Sequence, residues 1–383
     1  MITDPHLEPQ GAQPGRLFYL DNLRIMLISL VVLHHLAVIY AANVGFYYVE
    51  PTKDILAIVV LAYFQLLNQA YFMGLFFFLS GYLAPGALDR KGAGLFLKDR
   101  LIRLGAPLLV YIFVLNPVAS IGVYQMPSEL TGITGPFIWS EHFSDGPLWF
   151  VVMLIIFNAI YSLLRAASKN KPAKARAGGP QFPKTRVIIL FVVCLAAASY
   201  LIRIVFPISH AWLNFPSLAY LPQYASFFAL GALAYRGDWL RAIPEKFGRN
   251  GFIIAVASII LMLFSMSARY GSPSAFLGGG TLQSGTYALF DSIFSVALGL
   301  SLLVIFRRRY NHQNRFGKAL QKSCFTVYVI HCPVIVMLAA FVLRGLELAP
   351  LLKFGLAAVI SVPLCFALAY LIGKLPYVNK IIH

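Results

Sequence analysis

Residues 17–42 read Leu-Phe-Tyr-Leu-Asp-Asn-Leu-Arg-Ile-Met-Leu-Ile-Ser-Leu-Val-Val-Leu-His-His-Leu-Ala-Val-Ile-Tyr-Ala-Ala. The run is long enough to cross a bilayer as one helix. It carries Arg24 near its start and the pair His34 and His35 near its middle. Ionisable groups at that depth are costly and usually mark function. Arg24 and His35 are eleven residues apart, about three turns at roughly 3.6 residues per turn. They share a face, roughly 16 Å apart along the axis, while His34 is turned about a quarter of the way round. One face therefore offers a cation at the membrane edge and an imidazole at the midplane.

The rest of the chain extends this reading. Its 383 residues are 59% hydrophobic and 12% charged, with mean hydropathy +0.76. Such a composition excludes a soluble domain and predicts an all-α polytopic membrane protein. The net charge of +17 would also suit nucleic acid. The basic residues fall instead in short loops between apolar runs, as the positive-inside rule expects, so no nucleic-acid partner is expected.

Ten spans are predicted, at 17–42, 55–86, 101–121, 148–165, 186–206, 216–236, 251–271, 285–306, 323–344 and 350–373. The second is either one tilted helix or broken near Gly74. Basic loops at 87–100, 165–186, Arg236 to Arg249 and Arg307 to Lys322 alternate with 122–147, 207–215 and 272–284, which hold no Lys or Arg. This alternation places both termini in the cytoplasm. The chain divides into a polar N-terminus (1–16), a membrane domain (17–373) and a short cytoplasmic tail (374–383). The polar start argues against a cleavable signal peptide. Loop 165–186 reads as a flexible linker, and 122–147, rich in Pro and Gly, as an irregular segment lining a cavity. Cys194, Cys324, Cys332 and Cys365 sit in apolar segments, which predicts no disulfide and no structural metal.

Several constellations could carry chemistry. Arg24 would suit a phosphate at the cytoplasmic mouth, and His35 a general base or nucleophile. The competing reading is a snorkelling Arg and a hydrogen-bonded core His. His34 reads as structural or supporting. Ser80-Gly81 favours close helix packing and offers a hydroxyl. Arg100 and Arg103 lie one turn apart at a cytoplasmic helix start. His331 is a second intramembrane His, and Pro333 can break the helix beside it. Glu141, His142, Asp145 and Trp149 form an outer group suited to a hydroxylated acceptor. Equally, Asp145 could cap a helix and Trp149 join the interfacial belt. An Arg–Asp pair among Arg203, Arg269 and Asp291 would be structural.

In this order the motifs resemble the acyltransferase 3 family of integral membrane acyltransferases. The resemblance rests on Leu20 to Arg24 with His35 after ten residues, Phe77 to Tyr82, Arg100 to Pro107, Leu148 to Phe150 with Val151 in place of the usual Leu, and Tyr328 to Pro333. Gly146-Pro147-Leu148-Trp149-Phe150 and Ser80-Gly81-Tyr82 are similar to the branch of glucan-modifying succinyltransferases. The resemblance implies transfer of an acetyl or succinyl group from cytoplasmic acyl-CoA, a co-substrate, to a hydroxyl of an extracytoplasmic carbohydrate in the bacterial inner membrane. It gives His35, Arg24 and His331 catalytic roles, Arg24, Arg100, Arg103 and Ser80 the acyl-CoA, and Glu141, His142, Asp145 and Trp149 the acceptor. No metal is implied. The rival expectation is a transporter or flippase using His35 and His331 as a proton relay. Transporters often show inverted repeats, and none is visible.

Overall fold

The structure, a computed structural model, describes residues 17–167, 181–208, 210, 218–267, 272–376 and 378. The predicted N-terminus, most of the 165–186 linker and Arg269 lie outside them. Nine helices among the described residues are long and apolar enough to cross a membrane. We label the principal helices α1 (Phe18–Ala41), α2 (Ile55–Lys91), α3 (Ala93–Gln125), α4 (Trp149–Ala167) and α5 (Thr185–Val205). They continue as α6 (Leu221–Arg236), α7 (Lys246–Ser267), α8 (Leu282–Arg309), α9 (Arg315–Leu343) and α10 (Pro350–Ile372).

The sixth predicted span, 216–236, is α6, which is only 16 residues long, about 24 Å at 1.5 Å per residue, and is not among those nine. It runs parallel to α2 in close register. Gln223 Nε2 donates to the Ala70 carbonyl (2.7 Å). Further along, Gly81 meets Phe228, Gly231 meets Tyr82, and Gly86 meets Tyr235. A Cβ on Gly81 would lie 2.8 Å from the Phe228 carbonyl carbon, and one on Gly231 2.7 Å from the Tyr82 nitrogen. Two helices touching backbone to backbone are what small residues permit inside a membrane. The Ser80-Gly81 step is therefore a packing device, and α2 remains one helix through Gly74 and Pro85.

The first apolar run becomes the hub. Leu23, Leu27, Val32, Leu36 and Ile39 are fully buried, and α1 packs on α2, α8, α9 and α10. A clasp fixes its first turn. Asn22 donates to the carbonyls of Tyr310 (2.7 Å) and His312 (2.9 Å) and accepts from Gln313 (2.9 Å). The residue before Arg24 in the motif but one is thus tied to the loop between α8 and α9.

The predicted loop 87–100 is a single-residue turn at Gly92, whose φ of +74° suits glycine. Helix α3 then starts at Ala93. It opens into wide turns at Leu101–Gly105 and Tyr111–Leu115. Each lies just before a proline, Pro107 and Pro117, that cannot donate to the preceding turn. Pro333 does not break α9, contrary to the expectation; the wide turn follows it at Leu338–Leu343. Ion pairs gather the basic loops at one end: Asp89 with Arg165 and Arg236, and Glu245 with Arg308. At the opposite end Lys353 of α10 pairs with Glu50, which neutralises a cation outside the basic pattern.

Gly81→Ala should lower stability by about 1–3 kcal/mol, the usual cost of overpacking. Adding Gly231→Ala should cost less than the sum of the two single changes, because both act on one contact. Thermal unfolding in detergent with the double-mutant cycle measures both.

Candidate active site

At the basic end, Arg24 lies 3.6 Å from Asp21, one turn earlier on α1. Arg100 of α3 is close enough to Arg24 and Arg103 to feel both charges, and its guanidinium sits 5.3 Å from the Phe96 ring. Arg103 pairs with Asp99 at 3.5 Å, which also holds Lys91. The three predicted arginines therefore form one cationic group. Among the described residues two carboxylates, Asp21 and Asp99, pair with it. Ser80 is half-buried on α2 beside the Gly81 contact.

In the bundle interior, α1 and α9 bring His35 and His331 together, with ring centroids 4.9 Å apart. Their hydrogen-bond partners set the tautomers. His35 Nδ1 is 2.9 Å from the Val31 carbonyl, and His331 Nδ1 is 2.7 Å from the Tyr328 carbonyl. A carbonyl only accepts, so both Nδ1 atoms carry the proton of the neutral ring. His331 Nε2 is then bare and accepts, from His35 Nδ1 at 3.3 Å and from the Cys332 thiol at 3.4 Å. What remains is the bare Nε2 of His35, on a ring that lines a cavity. The ring also stacks on Phe46, at 5.2 Å and 26°.

His35 Nδ1, His331 Nε2 and Cys332 Sγ lie within 4.8 Å of one another, close enough to share a metal ion. The Val31 carbonyl opposes that use, since it demands a proton on a nitrogen that a metal would need bare. The cluster fits a hydrogen-bonded unit better than a metal site.

The cavity holds about 1160 Å³ and opens away from the basic end. The turn after α1 returns Phe46 and Tyr47 to it, held by the Glu50 amide on Ile39 (2.9 Å) and by the Lys353–Glu50 pair. Tyr47 donates to Asn116, whose amide donates to the His142 carbonyl (2.6 Å). Burial pushes the Tyr47 phenol well up, so it stays a donor. Tyr328 donates to the Pro147 carbonyl, which joins two of the sequence motifs, Gly146 to Phe150 and Tyr328 to Pro333, in one contact. Gly146, at φ +44°, has room for no side chain: a Cβ would stand 2.9 Å from Asn116 Oδ1.

Glu141, His142 and Trp149 line the cavity, as do Ser144 and Gly146 on either side of Asp145. The Asp145 side chain caps no helix, and its carbonyl takes the Leu148 amide (2.8 Å). The His142 ring stacks on Phe137 at 4.6 Å. Trp149 is 9% exposed and stacks on Tyr224 at 5.4 Å. It faces inward, not toward an interfacial belt, because the segment before α4 folds over the bundle. His34 lines the cavity too, against Phe72. Sequence reading passed over Gln65, Gln69, Asn116 and Tyr47. The two glutamines carried a usable signal, as polar side chains inside an apolar span.

The profile of a family described as an acyltransferase domain matches residues 17–370. The chain is 24% identical to "Glucans biosynthesis protein C" of Shigella dysenteriae serotype 1 (strain Sd197), over 88% of this chain and 86% of that protein. It has the same identity and coverage with the proteins of that name from Escherichia coli O81 (strain ED1a) and Escherichia coli (strain K12). No solved structure matches.

Gly146→Ala should displace Tyr47 and free the Asn116 amide, opening the segment before α4. Faster limited proteolysis within 128–145 than in wild type, with an unchanged far-UV spectrum, would report this.

Proposed function

The chain belongs to the acyltransferase 3 family and is a multi-pass membrane acyltransferase, and on that footing we propose that it moves an acetyl or succinyl group from cytoplasmic acyl-CoA to a hydroxyl of an extracytoplasmic glucan. The setting is the bacterial inner membrane. The name of the relatives, which refers to glucan biosynthesis, supports the acceptor class. The observation that carries the reading is α1 itself, which holds Arg24 in the basic cluster and His35, with a bare Nε2, in the cavity facing the other way.

In this reading Arg24, Arg100 and Arg103 grip the phosphates of CoA. The extended pantetheine arm carries the thioester to the depth of His35, roughly 16 Å along the helix. The acceptor hydroxyl enters from the far side. As its oxygen attacks the thioester carbonyl, its proton passes to His35 Nε2. The C–S bond then breaks, and the imidazolium returns the proton to the departing thiolate. The products are the ester and CoA thiol, with no net proton released.

His331 works through His35. By accepting from Nδ1 it keeps the Nε2 lone pair toward the cavity, and it stabilises the imidazolium during transfer. It is thus a positioning residue, and its own Nε2 is occupied by the His35 and Cys332 donors. The same contact is what a proton-relaying transporter would use. Both Nδ1 protons are tied to backbone carbonyls, which favours fixed orientation over relay.

Purified protein should release CoA from acetyl- or succinyl-CoA in the presence of glucan. His35→Ala should lower kcat by about 10²–10⁴, the usual worth of a general base. Arg24→Ala should raise the acyl-CoA KM by about tenfold, from the loss of a charge-assisted contact of about 1.5 kcal/mol. His331→Ala should lower kcat without moving either KM, and His331→Gln, which retains an acceptor, should recover part of it. CoA release that survives in His35→Ala overturns the reading.

A further inference from the structure

One wall of the cavity is built by the turn that leads into α6 and by the start of α8, with α5 behind it. Tyr220 and Tyr287 line it, and their hydroxyls are 3.0 Å apart. Behind them lies the Arg203 guanidinium, 4.8 Å from the Tyr220 ring and 5.1 Å from the Tyr287 ring. Arg203 is fully buried and paired with Asp291, which is buried as well. Its Nε and Nη1 have no hydrogen-bond partner, so their protons rest on the two ring faces.

A buried ion pair is a poor way to gain stability. Apolar side chains of similar volume often serve as well or better. Within a membrane span the cost is greater still. What the pair supplies here is geometry. One cation fixes two phenol rings from distant parts of the chain so that their hydroxyls meet at the cavity wall.

The chemistry of that edge is specific. Two hydroxyls bonded to each other use one of their two protons, which leaves one donor and several lone pairs for a ligand. Vicinal hydroxyls of a sugar ring match that set. Trp149 belongs to the same wall. It stacks on Tyr224 (5.4 Å, 25°), which in turn stacks on Tyr220 (6.0 Å, 20°). Gln69 holds the Tyr224 hydroxyl at 3.0 Å. The cavity volume of about 1160 Å³ lies above the roughly 300–1,000 Å³ typical of pockets for drug-sized ligands. One sugar ring beside His35 would leave much of it unfilled.

We infer that the cavity holds at least two adjacent sugar rings. One presents its hydroxyl to His35, and the next lies along Trp149 with its hydroxyls on Tyr220 and Tyr287, Arg203 acting as a positioning residue. That wall is then the subsite that reads the glucan ring next to the one acylated. This rests on the carbohydrate-acceptor reading above.

The test uses the full chain in detergent with glucose, a gluco-disaccharide and a longer linear gluco-oligosaccharide. Acyl transfer and calorimetric binding are both read. Wild type should favour the disaccharide over glucose by about tenfold or more in kcat/KM, equivalent to about 1.4 kcal/mol. The double change Tyr220→Phe with Tyr287→Phe retains the rings and removes the hydroxyls. It should bring the disaccharide down to the level of glucose through acceptor KM, with the acyl-CoA KM as in wild type. Arg203→Met with Asp291→Leu replaces the charges by apolar packing and should do the same, while Arg203→Lys should retain part of the preference. If wild type acylates glucose and the longer sugars equally well, the second subsite is wrong and the acyltransferase reading stands. If the tyrosine double change leaves the length preference intact, the assignment to that wall is wrong. If no sugar is bound or acylated while CoA is released to another acceptor, the carbohydrate reading falls and the subsite falls with it.

Discussion

A polar group in hydrocarbon must find its partner within the protein, because no water is there to supply one. The Nδ1 proton of His35 satisfies this constraint twice. It is met by the Val31 carbonyl one turn back and by His331 from a helix 296 residues away. Once those acceptors are taken, the ring has one orientation and one bare nitrogen. The same rule binds the surrounding segments. Tyr328, one turn before His331, is tied to Pro147, and Tyr47, one residue beyond the Phe46 that stacks on His35, is tied to Asn116 and through it to His142. The His35 imidazole and the outer lining of its cavity are thereby parts of one hydrogen-bonded assembly.

Around that assembly the bundle is uneven. Helix α9 is the most enclosed of the spans, with 72% of its apolar window buried, whereas α5 has 22%. The enclosed helices α1 and α9 hold the imidazoles. The more peripheral α5 contributes Arg203, whose charge would be untenable on a lipid-facing surface and is therefore turned inward onto Asp291. Contacts at Gly81 and Gly231 bring α2 and α6 backbone to backbone, and the earlier turns of α2 line the cavity with Gln65, Gln69 and Phe72. Rigid, close-packed helices in the inner shell and a cavity at their outer end suit an enzyme whose two substrates approach from opposite sides.

Some of this could be read from the residues. Arg24, His35 and His331 stand out because charge is rare in apolar runs, and the structure puts the two imidazoles in contact. The same logic marked Arg203, Arg269 and Asp291 without choosing a pair, and the structure joins Arg203 to Asp291. Other features left no such trace. Tyr220 and Tyr287 are ordinary residues for a membrane helix, and only the guanidinium between them gives them a common role. Pro85 and Pro333 look like helix breaks but lie within continuous helices, while Pro107 and Pro117 open α3 through wide turns. A single missing donor can be absorbed by neighbouring turns, and which course is taken depends on what packs alongside.

By itself, then, the amino-acid sequence determined the helical membrane class, the order of the apolar segments, and the placing of a cation and an imidazole on one helix face. These follow from local composition and a 3.6-residue period, which need no partner. Only the tertiary structure decided which nitrogen of His35 is bare, that Trp149 faces inward, and that Arg203 stands behind two tyrosines. Each of those depends on groups from distant parts of the chain competing for the same hydrogen bond or the same space, and no local pattern records the winner.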